Sequence, residues 1–128
     1  MVASLVASAC GGGGSNPAGP TPVISGDTGS AGASGATITI TGNGISPSRV
    51  TVAVGQSVTF VNSDSRQHEM ASDPHPTHGS CPSIERGLGV LSPNQTKLTN
   101  GFANAGTCSF HDHLNDSNNS LKGQIVIQ

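Results

Sequence analysis

From residue 37 onward, apolar positions alternate with polar or β-branched ones, which is the period of a strand with one buried face. Residues 37–41 (TITIT), 49–54 (RVTVAV) and 57–62 (SVTFVN) are three such strands. In the third, Val58, Phe60 and Asn62 share one face and Thr59 and Val61 the other. Gly42-Asn43-Gly44, a corner at Ile45-Ser46-Pro47-Ser48, Gly55-Gln56 and Ser63-Asp64-Ser65 punctuate them. Another extended piece begins at His68-Glu69-Met70. Short strands are expected at 88–91 and 96–99, on either side of the turn Ser92-Pro93-Asn94. Residues 107–111 (TCSFH) form a strand with Cys108 and Phe110 on one face, and 123–128 (GQIVIQ) form the last. Residues 71–83 (ASDPHPTHGSCPS) hold three prolines, a density no regular element tolerates, and are read as a loop. Residues 113–120 are a polar loop. No stretch of useful length shows the helical period. Seven or eight short strands separated by turns predict an all-β sandwich or barrel over residues 37–128.

The beginning of the chain follows different rules. Residues 11–36 are Gly, Ser, Ala, Pro and Thr with little else, too poor in apolar surface to offset the entropy of ordering, and are read as a flexible linker. Residues 2–9 are apolar or small and lead into Cys10 and four glycines. The run Ala7-Ser8-Ala9-Cys10 resembles a bacterial lipobox, so residues 1–10 are read as a signal remnant with Cys10 as the lipidated residue, the true start lying upstream. The expected location is the cell envelope, periplasmic or extracellular, with the membrane touched only through that anchor.

Composition narrows the function. Charged residues are 9% of the chain and the net charge is −2, which excludes the basic patch that nucleic-acid binding requires. There is no Trp or Tyr, so the core is built from Val, Ile, Leu and three Phe. The chemistry-bearing side chains are concentrated in one stretch. All five histidines (His68, His75, His78, His111 and His113) lie between residues 68 and 113, with Met70, Cys81 and Cys108. Imidazole and thioether are ligands for borderline and soft metals.

Each candidate has a plainer reading beside it. His111 and His113 are two apart, so on an extended segment both rings project to one side and can reach one metal, or both simply face solvent. Asp112 between them is a candidate to orient a ligand ring by accepting its second N–H. Prolines flank His75 and stiffen the loop that also carries His78, which makes these two further candidate ligands or incidental residues of a rigid loop. Met70 is a candidate ligand on the side of His68, though core packing is the commoner use of methionine. Cys81 and Cys108 are read as a disulfide, because the chain looks exported and they remain as a pair once Cys10 is assigned to the anchor; the rival reading is a thiolate ligand.

The order of these signals resembles the cupredoxin family, the plastocyanin- and azurin-like copper proteins. The resemblance rests on Ile45-Ser46-Pro47, on Val50, Val52, Val54-Gly55-Gln56, Val58, Phe60, Asn62 and Asp64, on Leu91-Ser92-Pro93-Asn94-Gln95-Thr96, and on Ala105-Gly106-Thr107, Phe110 and Lys122-Gly123 before Ile125-Val126-Ile127. It implies a Greek-key β-sandwich, copper as the cofactor and a redox or copper-delivery protein as the partner. It also implies that His68 stands at the family's first histidine ligand. The family's cysteine and methionine ligand positions fall on Asp112 and Leu121, so the thiolate of a blue copper centre is missing. The resulting expectation is a mainly histidine copper site centred on His68, His111 and His113. Its role would be copper binding and delivery or electron transfer, and not catalysis. The rivals are a copper or zinc enzyme built on the same histidines, and a metal-free interaction module on the same fold.

Overall fold

The computed structural model describes residues 34–128. Two mixed sheets face each other. One has four strands: β1 (Ser34–Thr41), β2 (Gly44–Ser46), β4 (Ser57–Asn62) and β7 (Thr96–Leu98), in the order β2-β1-β4-β7. The other has β3 (Arg49–Val52), β5 (His68–Ser72), β6 (Val90–Leu91), β8 (Gly106–Asp112) and β9 (Gly123–Ile127), in the order β3-β9-β8-β5-β6. β1 runs parallel to β4, and β3 parallel to β9, while the remaining pairs are antiparallel. This is a Greek-key β-sandwich of nine strands among the described residues.

The alternation in the sequence becomes the core. Ile38, Ile40, Val58 and Phe60 from one sheet meet Phe110, Ile125 and Ile127 from the other, all essentially without solvent contact. Phe60 and Phe110 touch edge to face across the sandwich with centroids 5.4 Å apart, the geometry that the ring quadrupole favours. Gly123 makes room for this contact, since a Cβ there would lie 2.6 Å from Phe110 Cζ.

Three elements differ from the sequence reading. β1 reaches back to Ser34, into the stretch read as linker, because Ser34 and Ala36 pair with Ser57 and Val58. β2, where the sequence predicts a bare corner, is a three-residue strand pairing antiparallel with β1. The end of the Pro-rich loop, with the residues after it, turns into a short helix, α1 (Pro82–Gly87). Proline at its start has no N–H to waste, and the completely buried Ile84 pins the turn to the core, so packing decides where helical periodicity is too short to be visible. Cys10 and the linker up to residue 33 lie outside the described residues.

Cys81 and Cys108 form a disulfide that spans 27 residues and ties the start of α1 to the middle of β8. Replacing both by serine is expected to lower the stability of the oxidised protein by about 2–4 kcal/mol. Urea denaturation with and without reductant measures this; an unchanged midpoint in both would contradict it.

Candidate metal centre

The register between β5 and β8 decides what meets what. Met70 pairs with Asp112, Ala71 with His111 and Ser72 with Phe110. Side chains alternate along β8, so Cys108, Phe110 and Asp112 point inward, and His111 points to the outer face of the sheet. The Pro-rich segment after β5 folds back over that outer face. There it covers His111, whose side chain is only 2% exposed.

Four imidazoles converge beneath this loop. One ring nitrogen from each of His75, His78, His111 and His113 lies within 4.8 Å of the corresponding atoms of the other three. His78 and His113 approach with ring centroids 4.7 Å apart, His78 and His111 at 5.1 Å, and His75 and His113 at 5.1 Å. His111 Nδ1 donates to Asp73 Oδ1 at 2.6 Å, and His78 Nδ1 donates to the carbonyl of Ser72 at 3.0 Å. Those two bonds fix the tautomers and leave a lone pair on each Nε2. His78 also has φ of +45°, a left-handed conformation that few non-glycine residues adopt and that collects at functional positions.

The remaining nitrogens show what the cluster suits. His78 Nε2, His111 Nε2 and His113 Nδ1 are buried and have no hydrogen-bond partner. Burying an unpaired polar atom costs about 1–3 kcal/mol, and here three such atoms belong to rings of one cluster. A metal ion would satisfy all three, and the outward hydrogen bonds of His78 and His111 are of the type that orients metal-bound imidazoles. The donor set, all imidazole, suits zinc, copper, iron or nickel.

His68 and Met70 are not part of this group, which departs from the sequence reading. Both project inward with Asp112. Met70 is buried in the hydrophobic core, 1% exposed. His68 lies between two carboxylates: its Nδ1 is 2.8 Å from Asp112 Oδ2 and its Nε2 is 3.1 Å from Asp64 Oδ2. Both ring nitrogens are thus taken up by carboxylates on the inner side of the sheet, away from the cluster. Asp112 also departs from its expected role. It bonds no metal-site ring, but accepts from His68, from Glu69 N and from Leu114 N, the last capping a 3-10 turn (His113–Asn115) that carries His113. The carboxylate that holds a cluster ring is Asp73, which sequence reasoning missed. It stands two residues before His75, but nothing local says that it reaches across to β8.

Asn62 shapes the turn beneath this ion cluster. Its amide donates to the carbonyls of Arg66 and Leu91, and its oxygen accepts from Asp64 N. Hydrogen bonds from the Arg66 guanidinium, aided by those from His68 and Ser65 N and opposed by burial, hold the Asp64 carboxyl well below its ordinary value of 3.8. A carboxyl whose pKa falls on folding adds stability that is fully present above its unfolded value and is lost as pH falls through its folded one. The Asp64 contribution should therefore persist down to about pH 4 and disappear below it. Urea midpoints measured from pH 7 to pH 2 should fall less steeply below pH 4 in Asp64→Asn than in the wild type; parallel curves would contradict this.

No protein-family model matches the chain, and no curated protein is significantly similar to it in sequence. Solved structures are similar to it. A purple cupredoxin from Nitrosopumilus maritimus superposes with a TM-score of 0.56 at 20% identity, covering 73% of this chain and 99% of that one. Plastocyanin from Dryopteris crassirhizoma gives 0.57 at 19% identity, covering 72% and 99%. Auracyanin from Roseiflexus castenholzii gives 0.55 at 20% identity, covering 76% and 99%. A Cu(I) form of an amicyanin variant gives 0.52 at 19% identity, covering 76% and 83%. Residues 34–128 of this chain thus have the cupredoxin fold, with a four-histidine cluster on the outer face of its five-stranded sheet.

Proposed function

We propose that this is an exported copper-binding protein that holds its ion with His75, His78, His111 and His113, and that it carries copper or electrons in the cell envelope. The observation that carries the reading is the cluster of four imidazoles, three of which hold a buried ring nitrogen with no hydrogen-bond partner. Copper is preferred among the metals imidazole suits because a similar fold is recorded in a Cu(I) form, and because copper(II) binds nitrogen sites more tightly than its divalent neighbours. Copper would supply reversible one-electron chemistry and exchangeable coordination. Asp73 and Ser72 hold two rings with their lone pairs inward, and the Pro-rich loop keeps water from His111.

Export and a lipid tether at Cys10 belong to the same reading. They rest on the small residues before Cys10, the glycines after it, and a disulfide of the kind that persists in oxidising compartments.

Titration of the full chain with copper(II), followed by electron paramagnetic resonance, tests the site. One ion per chain is expected, with nitrogen hyperfine structure, tetragonal symmetry and only weak visible absorption. An intensely blue solution would mean a thiolate ligand and would overturn the reading, as would the lack of stoichiometric binding.

A further inference from the structure

The four histidines are not held alike, and the difference points to how the site exchanges ligands. His111 is covered and bonded to Asp73. His78 donates to Ser72, which is itself fully buried and clamped, its N and Oγ donating to Glu85 Oε1 at 2.6 and 2.5 Å. Glu85 lies on α1, and the residue that begins that helix, Cys81, is tied to β8 by the disulfide. His113 begins the 3-10 turn capped by Asp112, and its inward nitrogen is buried.

His75 has none of these supports. Its side chain is 40% exposed, and its ring makes no hydrogen bond among the described residues. The closest acidic oxygen, Asp116 Oδ2, is 3.8 Å from Nε2, beyond hydrogen-bond distance, on a side chain that is itself 53% exposed. Pro74 and Pro76 restrict the backbone on either side, so the freedom left to His75 lies in rotation of its side chain.

Resting on the four-histidine reading above, we infer that His78, His111 and His113 form a fixed three-point base for the ion and that His75 is the exchangeable ligand, its position open to a small monodentate donor from solvent. The step is a substitution. The bond from the ion to the His75 ring breaks and one to the incoming donor forms, with no change of oxidation state and no proton transferred. The freed ring turns outward to Asp116.

The test uses the full chain loaded with one equivalent of copper(II), azide as the incoming donor and ethylenediaminetetraacetate as the acceptor. His75→Ala should keep stoichiometric copper with an affinity within about tenfold of wild type, whereas His111→Ala should lose far more. The resonance spectrum of copper-loaded His75→Ala should change at azide concentrations about tenfold or more below those wild type needs, and its copper should pass to the chelator about tenfold faster. The inference is overturned if His75→Ala loses copper as completely as His111→Ala, or keeps it with unchanged azide response and transfer rate. If all four single alanine variants keep wild-type affinity, the four-histidine site itself fails, and the inference with it. Circular dichroism of each variant separates loss of ligand from loss of fold.

Discussion

Replacing His111 by alanine should lower the affinity for copper(II) more than a hundredfold, about 2.7 kcal/mol, while replacing His68 should change it only a few fold. His111 is the most deeply covered ring of the cluster, its inward nitrogen has no protein partner, and its outer nitrogen is fixed by Asp73. Its loss removes one ligand and also leaves Asp73 without the ring it orients. His68, which the family resemblance leads one to expect in the site, bonds to Asp112 and Asp64 on the inner side of the sheet. Competition titration against a chelator of known affinity measures both variants. Equal losses in the two would put His68 back into the site.

The second large effect is on stability, and there the order of the two residues reverses. His68→Ala should destabilise the fold by about 3–5 kcal/mol, because it empties a buried site and leaves Asp112, which is 0% exposed, without the ring that bonds it. The backbone amides of Glu69 and Leu114 still donate to Asp112 and limit the damage, but both bond Oδ1 and leave Oδ2, the oxygen that faces His68, unpaired. Urea denaturation of the metal-free protein measures the loss. A variant as stable as wild type would show that the histidine between the two carboxylates has no structural role.

Much of the scaffold is legible in the alternation of side chains. The bounds of β4 follow from residues 57–62 alone, with Val58, Phe60 and Asn62 inward. The pairing of Cys81 with Cys108 is expected from a reading of the chain as exported with Cys10 set aside, and the structure contains that bond. The helix α1 is hidden because six residues around a proline carry no readable period, and what holds them is one buried isoleucine and a disulfide.

The structure sets His68 apart from the histidine cluster, which departs from the expected grouping, and part of that separation is legible in the strand period. Asp112 faces His68, and on a strand its neighbour His111 faces the other way. Period-two alternation along β8 therefore separates His68 from His111, while His113, past the end of the strand, owes its place to the 3-10 turn. The contribution of Asp73 is not legible, since it depends on the loop crossing from β5 onto β8, and that path is set by tertiary packing.

Diffraction from copper-loaded crystals, with data collected on both sides of the copper absorption edge, locates the ion directly. The account predicts one anomalous peak, on the outer face of the five-stranded sheet among His75, His78, His111 and His113, with nothing beside His68. A peak between His68 and Asp112 would contradict it.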